Sequence, residues 1–382
     1  MSTRKIPLYK IFWNQDDVDS VSQVIRQGMS WATGPKVNEF EEIVAKYIDR
    51  KYCVAFNSGT SALHAIFLAY GIKSNHEVIV PSFTFIATAN SVLFCGGHPV
   101  FADIEEETYG LSPGDVENRV TKKTKAIMPI HYGGGSCLIE ELKEIAEDKN
   151  LLLIEDAAES LGAKSEGKKV GSFGDAAMLS FCGNKVITTG EGGAIVTDER
   201  SVYEKLKLIR SHGRVEAEDY FSSSQMGEYV TLGYNWRMSN ITAALGLSQM
   251  AKLEKAIALR REKAEYMTRG LSKTKGILTP KPLSKLRHVY QMYTIRVKDG
   301  AKTRDALQNH LSKKGITTKV YFPPAHLTEF YRTKFRFKGG ELPVTESMAN
   351  QVLTLPIYPT MTTDEMDYVI TSVKEFVKTL RR

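Results

Sequence analysis

Short apolar runs alternate with helix-like segments along residues 38–200 of this 382-residue chain, and this alternation constrains the fold more than any other feature. Strands are predicted at residues 52–56, 77–80, 98–102, 126–130 and 151–154. Helices are predicted at residues 61–70, 85–94 and 139–148, with a short helical turn at 157–161. Strands and helices that alternate in this way form βαβ units, so we expect an α/β fold with a mainly parallel central sheet.

The pattern changes beyond residue 240. Helical periodicity dominates residues 241–270, strands are predicted at 289–297 and 317–322, and helices at 303–314 and 363–380. No repeat or flexible linker interrupts the chain. We therefore expect a large ligand-binding domain of residues 1–250, which includes an N-terminal segment, and a smaller C-terminal α/β domain of residues 251–382.

The composition narrows the possible partners. Hydrophobic residues make up 42% and charged residues 25%, which is typical of a globular protein. The formal net charge of +7 is spread along the chain without an arginine-rich run, which favours an anionic small substrate over nucleic acid. No zinc-ligand spacing, signal-peptide core or membrane-length apolar run occurs. We expect a cytoplasmic protein that binds no metal, membrane or nucleic acid.

A single lysine, Lys185, lies between the apolar runs 176–181 and 194–196, and two threonines and three glycines follow it. A lysine amine that loses its proton easily becomes a nucleophile toward carbonyl groups, and Schiff-base chemistry is its main covalent use. An isolated lysine is far more often a solvated surface residue. Residues at the ends of the other predicted strands are therefore needed to distinguish a Schiff-base lysine from a surface lysine.

A second candidate site lies at residues 57–61, where Ser58, Gly59 and Thr60 follow a strand directly and open a helix. Backbone N–H groups at the start of a helix, with small hydroxyl side chains beside them, can bind a phosphate. Simple N-capping by Ser58 or Thr60 explains the same residues equally well. The segment matches neither a Walker loop nor the G-x-G-x-x-G dinucleotide pattern.

Asp156 ends the most apolar predicted strand, at the sheet edge where parallel sheets bind ligands. A carboxylate there can hold a proton on a ring nitrogen, or it can cap residues 157–159. Phe83 and Phe85 follow the neighbouring strand and offer either a stacking surface or core packing. A phosphate cradle, an aromatic ring, a carboxylate and a lysine at successive strand ends together match one cofactor, pyridoxal 5'-phosphate.

The chain resembles the DegT/DnrJ/StrS sugar aminotransferase family of fold type I pyridoxal-phosphate enzymes along its whole length. The resemblance rests on five ordered motifs, at residues 57–64, 81–85, 154–158, 180–193 and 233–238. The Phe-Cys-Gly-Asn-Lys form of the motif at 181–185 is most similar to the branch of GDP-perosamine synthase-like enzymes, which aminate C4 of 4-keto-6-deoxy nucleotide sugars.

The resemblance implies a role for each motif. Lys185 would form the internal aldimine, Asp156 would bond the pyridine nitrogen, and Glu159 would lie near the 3′-hydroxyl group of the ring. Asn235 would reach across a dimer interface to the phosphate of the partner subunit, which makes the homodimer obligatory. The implied cofactor-binding residues are Ser58, Gly59, Thr60, Phe85, Asp156, Glu159, Ser180, Lys185 and Asn235.

The resemblance also implies a substrate pocket. Trp31, within residues 31–34, and Tyr321 and His326, within residues 321–326, match segments that line the sugar site. A branch of the family with histidine in place of the lysine performs dehydration, so Lys185 favours amination. The loop 131–138 departs from the family pattern, because an acidic residue usually stands near the position of Leu138. This departure leaves the identity of the sugar open.

The function implied is an aminotransferase that moves an amino group from L-glutamate to a 4-keto-6-deoxy nucleotide sugar for polysaccharide biosynthesis. Lys185 and Asp156 would be its catalytic residues, and ping-pong kinetics would follow. The alternatives are an aminotransferase for another keto-sugar or a cyclitol, a non-catalytic regulator that keeps the fold, and a nucleic-acid-binding protein suggested by the charge alone.

Overall fold

The structure is a computed structural model and describes residues 4–215 and 227–380. Its strands are β1 (Tyr52–Phe56), β2 (Glu77–Pro81), β3 (His98–Ala102), β4 (Thr124–Ile127), β5 (Leu152–Asp156), β6 (Lys164–Ser165), β7 (Lys168–Lys169), β8 (Ala176–Ser180), β9 (Gly193–Thr197), β10 (Ile277–Leu278), β11 (Leu286–Arg287), β12 (Tyr293–Val297) and β13 (Val352–Leu355). Its α-helices are α1 (Gln15–Gln27), α2 (Pro35–Ile48), α3 (Gly59–Ala69), α4 (Ala87–Phe94), α5 (Pro113–Arg119), α6 (Ile139–Asp148), α7 (Arg200–Arg210), α8 (Asn240–Ala251), α9 (Leu253–Leu271), α10 (Ala301–Lys313), α11 (Glu329–Phe335), α12 (Pro343–Gln351) and α13 (Thr363–Thr379).

The central sheet has the strand order β1-β9-β8-β5-β4-β2-β3. Strands β3, β2, β4, β5 and β8 pair in parallel, which confirms the predicted α/β fold. Strand β9 is the exception, since it runs antiparallel to both β8 and β1. Antiparallel neighbours can be joined without a crossover helix, so the chain returns from β8 to β9 through the segment that carries Lys185.

The register of β9 draws the start of α3 onto the sheet. Gly193 lies opposite Phe56 on one side and Ser180 on the other. A Cβ atom at Gly193 would come within 2.6 Å of the Ser58 carbonyl oxygen and 2.7 Å of the Gly59 Cα. Glycine is therefore required at this position, because only its backbone lets the start of α3 approach the strand so closely.

Two elements predicted from the sequence do not form in the described residues. Residues 157–161 form turns rather than a helical turn, and residues 317–322 form no named strand. The second segment pairs with β13 at one position, Lys319 opposite Thr354, and then leaves the sheet. The apolar character of this segment comes from packing against neighbouring rings rather than from strand pairing, since Tyr321 and Phe322 contact each other and Phe83 lies near Phe322.

The N-terminal segment, which the sequence prediction assigns to the large domain, also contacts the C-terminal region. Ile6 pairs with Ile316 and is buried in the core of the C-terminal region, together with Met267 and Tyr293. Helix α9 serves both regions, because Ile257 is buried with the large-domain residues and Met267 with the C-terminal ones. The domain boundary near residue 250 stays a prediction. Within the described residues, no helix has the length and apolar character that crossing a membrane requires.

Candidate active site

The start of α3 combines a helix cap with an open set of amides. Ser58 Oγ accepts a hydrogen bond from the Ser61 amide at 3.1 Å, and the Ser58 carbonyl accepts one from the Ala62 amide at 3.1 Å. The amides of Gly59 and Thr60 lie in the first turn of α3, where backbone N–H groups have no partner within the helix. This end of the helix carries partial positive charge. Ser180 adds a hydroxyl group, since a Cβ on Gly59 would lie 3.5 Å from Ser180 Oγ. The capping and anion-binding interpretations of this segment are thus compatible.

Asp156 ends β5 as a nearly fully buried carboxylate that is 2% exposed. One oxygen accepts a hydrogen bond from Thr88 Oγ1 at 2.7 Å, and the other accepts one from the Ala158 amide at 3.2 Å. Thr88 in turn bonds Thr84 at 2.8 Å, which holds its hydroxyl group in place. Burial raises the pKa of Asp156, and these hydrogen bonds and the charge of Lys185 oppose that shift. Asp156 is therefore held rigidly in a site where a cationic partner would stabilise its charge.

Lys185 is not a solvated surface lysine, because its side chain is only 15% exposed. Its Nζ atom lies 3.9 Å from Glu159 Oε1. Glu159 is held from the other side, where its Oε2 accepts a hydrogen bond from the Gly133 amide at 2.9 Å. Burial raises the pKa of Glu159, and the charge of Lys185 opposes the shift. The structure thus brings one lysine and two buried carboxyl groups into a single electrostatic cluster.

The two phenylalanines after β2 have different environments. Phe83 is fully buried among aromatic rings that include Tyr109 and Tyr132. Phe85 is 60% exposed, and its ring centroid lies 6.5 Å from that of Phe322. Phe83 is therefore a core residue, and Phe85 is the ring that can stack on a planar ligand.

Tyr321 lies beside the lysine turn. Burial raises the pKa of Tyr321, and the neighbouring side chain of Asn184 opposes this shift. Tyr9 approaches the same turn, since a Cβ on Gly183 would lie 4.0 Å from the Tyr9 hydroxyl group. Trp31 is 48% exposed, and its carbonyl accepts hydrogen bonds from the Asn240 and Ile241 amides at the start of α8. Tyr321 thus lies close to the lysine turn, whereas Trp31 contacts the start of α8.

His326 is enclosed by side chains of its own chain. The residue is fully buried, and its Nδ1 lies 2.6 Å from Ser82 Oγ while its Nε2 lies 3.2 Å from Glu346 Oε1. Both ring nitrogens are thus used inside the protein, and the ring packs between Phe101 and Phe337. These contacts anchor residues 321–326 to the end of β2, and the role of His326 in the sugar pocket stays a prediction.

Asn235 is exposed, and its backbone lies at the same edge as the phosphate cradle. Its carbonyl accepts a hydrogen bond from Asn57 Nδ2 at 3.4 Å, and its backbone pairs with Ser211. The sequence interpretation missed Thr88 and the Gly133 amide, which hold Asp156 and Glu159. The pair Thr84 and Thr88 had a detectable signal, namely two hydroxyl groups four residues apart directly after a strand, whereas a backbone amide leaves no trace in residue type.

The side chains present fit pyridoxal phosphate. A helix start with a neighbouring hydroxyl suits its phosphate, an exposed aromatic ring suits its planar face, and a buried carboxylate suits its ring nitrogen. The half-buried amine of Lys185 lies in the same cluster and suits its aldehyde. The Asp156 carboxylate carries this fit, because it is 2% exposed and its two hydrogen bonds come from neutral groups, the Thr88 hydroxyl and the Ala158 amide.

Comparisons with known proteins agree with this chemistry. The chain is 38% identical over 347 residues to GDP-perosamine synthase of Caulobacter vibrioides, covering 90% of this chain and 91% of the relative. Among solved structures, Helicobacter pylori PseC, an aminotransferase involved in the biosynthesis of pseudoaminic acid, superposes with a TM-score of 0.93 at 28% identity, covering 98% of this chain and 100% of that one. The putative sugar aminotransferase Spr1654 of Streptococcus pneumoniae, solved in a PLP form, superposes with a TM-score of 0.92 at 25% identity, covering 99% of this chain and 100% of that one.

The family assignment rests on almost the whole chain. The sequence profile of the DegT/DnrJ/EryC1/StrS aminotransferases matches residues 13–374. The matched span contains the cradle at the start of α3, Asp156, Glu159 and the lysine turn. The chain therefore belongs to the DegT/DnrJ/EryC1/StrS aminotransferase family.

Proposed function

We propose that the protein transfers an amino group from L-glutamate to the C4 keto group of a 4-keto-6-deoxy nucleotide sugar. Pyridoxal phosphate is its cofactor. The cluster of Lys185, Glu159 and Asp156 is the observation that carries the proposal, because it joins a half-buried amine to two buried carboxyl groups at one edge of the sheet. The similarity to GDP-perosamine synthase supports the choice of a 4-keto nucleotide sugar.

We assign the cofactor contacts as follows. The amides of Gly59 and Thr60 and the hydroxyl groups of Ser58 and Ser180 would hold the phosphate. Phe85 would cover one face of the ring. Asp156, Glu159 and Lys185 would contact the ring nitrogen, the ring hydroxyl and the aldehyde, respectively. When bound, pyridoxal phosphate supplies an electron sink for the carbanion that forms at the amino donor.

The chain's own residues would move the protons. Lys185 Nζ would take the proton from Cα of L-glutamate as a general base and return a proton in the second half of the reaction. Asp156 would keep the proton on the ring nitrogen, since a buried carboxylate without a cationic partner favours a protonated neighbour. Glu159, 3.9 Å from Nζ, would orient the lysine amine. Tyr321 and Trp31 are the proposed substrate contacts, Trp31 from the exposed surface beside α8.

This function is tested by following the two half-reactions separately. L-glutamate added to the protein with pyridoxal phosphate should convert the visible absorption of the cofactor to that of its amine form. A panel of 4-keto nucleotide sugars, 3-keto nucleotide sugars and keto-cyclitols should then restore the original absorption. Restoration by a 3-keto sugar or a cyclitol in place of the 4-keto sugars would replace the proposed substrate class. No spectral change with any amino donor would favour a non-catalytic regulator.

The proposed active unit is a homodimer with shared sites. Tyr229, Val230 and Leu232 are 60%, 50% and 79% exposed, although all three are apolar or aromatic. Exposed apolar residues in one segment are typical of a protein interface. The side chain of Asn235 is exposed in the same part of the chain. A second copy of this chain on this surface would cover the apolar residues and bring Asn235 to the partner's phosphate cradle.

Mixed dimers of Asn235→Ala and Lys185→Ala chains are expected to regain activity that each variant lacks or largely lacks alone. If the sites are shared, one of the two sites in a mixed dimer contains both unaltered residues. Equal mixing should therefore give about a quarter of the wild-type activity. Turnover is measured after subunit exchange, which native mass spectrometry of differently tagged chains verifies. Complete exchange without recovered activity would mean that each site is built from one chain.

A further inference from the structure

Gln291 lies between β11 and β12 and makes a direct contact with the lysine turn. Its Nε2 atom donates a hydrogen bond to the carbonyl oxygen of Asn184, the residue before Lys185, at 2.6 Å. The carbonyl can only accept, so this contact fixes which end of the Gln291 amide faces it. The other end, Oε1, is buried and has no hydrogen-bond partner among the described residues.

A buried acceptor without a partner is unfavourable, and Gln291 is only 6% exposed. An apolar side chain of similar volume, such as methionine, would fill the same space without this cost. Packing alone therefore does not explain why a glutamine occupies position 291, whereas the hydrogen bond that it donates to Asn184 does. We propose that Gln291 is a positioning residue that holds the lysine turn so that Lys185 Nζ faces the cofactor site; the proposal rests on the function proposed above.

The neighbours of Gln291 extend this contact to Glu159. The Met292 amide donates to the Gly133 carbonyl at 3.0 Å, and the Val289 amide donates to the Gly134 carbonyl at 2.7 Å. The Gly133 amide is the group that holds Glu159. Segment 289–292 thus contacts the turn that carries Lys185 on one side and the loop that orients Glu159 on the other. This segment therefore contacts both of the elements that carry the lysine and the carboxylate.

Arg260 anchors the segment to the long helix α9. The residue is 2% exposed, and its Nη1 atom donates to the carbonyl oxygens of Tyr290, Gln291 and Ile357 at 3.2, 3.4 and 3.3 Å. Burial lowers the pKa of Arg260 to about 10. A guanidinium group bonded to three carbonyls leaves the backbone around Gln291 little freedom. The backbone of Gln291 is therefore held in place, which a positioning residue requires.

The proposal is tested with Gln291→Met, which removes the donor and keeps the side-chain volume. Gln308→Met is the matched control, because Gln308 Nε2 also donates to a backbone carbonyl, that of Thr318 at 3.3 Å, outside this site. The first measurement is hydrogen exchange of the amides in residues 182–187 of the full-length, cofactor-free protein. We expect at least about tenfold faster exchange in Gln291→Met and wild-type exchange in the control. The second is the rate at which Lys185 is trapped with pyridoxal phosphate by borohydride, detected by mass.

The expected trapping rate of Gln291→Met is about 10- to 100-fold below wild type, with an unchanged KM for L-glutamate. Wild-type exchange and trapping in this variant would overturn the proposal. If Gln291→Met does not fold, Gln291→Leu also removes the donor with an apolar side chain and decides between the same two outcomes. Absence of trapping at Lys185 in the wild-type protein would instead refute the proposed function, while the exchange measurement would still test the contact to Asn184.

Discussion

Lys185→Ala is expected to lower transamination at least about 10⁴-fold and to remove the visible absorption of the protein with pyridoxal phosphate. The variant loses both the covalent attachment point and the proposed base, and no other lysine among the described residues forms an ion pair with Glu159 or Asp156. The fold should persist, because Lys185 lies in a turn and its side chain contributes an ion pair at 3.9 Å rather than core packing. Its charge also lowers the pKa of Glu159, so the pKa of Glu159 should rise further in the variant.

The measurement is single-turnover conversion of the cofactor by L-glutamate, together with thermal unfolding. Lys205→Ala is the matched control, since Lys205 is an exposed lysine whose Nζ bonds the carbonyl of Ala69 outside the site. The control should keep wild-type turnover and absorption. A Lys185→Ala protein that retains turnover within about tenfold of wild type would refute the role of this lysine as the essential base.

Asp156→Asn is expected to lower turnover about 10²- to 10³-fold while making the cofactor-free protein more stable at neutral pH. The asparagine has the same shape, and it can accept from the Ala158 amide and donate to Thr88, whose hydroxyl group then donates to Thr84. The neutral amide does not stabilise a proton on the ring nitrogen, so electron withdrawal from the amino donor weakens. Burial of the negative charge, the main cause of the raised pKa of Asp156, is removed at the same time.

The pH dependence of stability separates these effects. The pKa of Asp156 is higher in the folded than in the unfolded chain, so the folded protein binds the proton more tightly. Its contribution to stability is fully present below the unfolded pKa of about 4 and is lost as the pH rises through the folded pKa. The difference in unfolding temperature between Asp156→Asn and wild type should therefore increase in favour of the variant as the pH rises.

Asp175→Asn is the control for Asp156→Asn. Asp175 comes directly before β8, and its carboxylate accepts a hydrogen bond from the Leu153 amide at 2.8 Å, at the opposite end of the same strands. Its replacement should leave turnover close to wild type. Equal losses of turnover in both variants would indicate a general effect on the sheet, and Asp156 would then have no specific role at the ring nitrogen.

The alternation of strands and helices predicted the α/β fold because a parallel sheet needs a crossover segment after each strand. The strand at 52–56, the strand at 98–102 and the helix at 139–148 have the predicted bounds, since their apolar residues match one period throughout. The strand predicted at residues 317–322 does not form, because a segment whose apolar residues pack against aromatic rings has the same residue types as a strand. Residue type alone does not distinguish the two.

His326 and Gln291 illustrate the other limit of the sequence. His326 belongs to a recognisable motif, yet the fold places it between Ser82 and Glu346, where both ring nitrogens are used. Gln291 belongs to no motif, yet the fold places it on the carbonyl before Lys185. Ser82 lies 244 residues from His326 along the chain and Asn184 lies 107 residues from Gln291, so no local pattern could indicate these contacts.

The sequence by itself determined the fold class, the cofactor and the strand ends at which chemistry occurs, because periodicity and short motifs are local properties of the chain. The tertiary structure alone decided that Lys185 and Glu159 come within 3.9 Å of each other and which residues hold them in place. It also decided that Phe85 is exposed while Phe83 is buried. The physical reason is that burial and hydrogen-bond geometry arise from packing between distant segments. A buried charge or an unpaired amide oxygen has an energetic consequence only once those segments surround it.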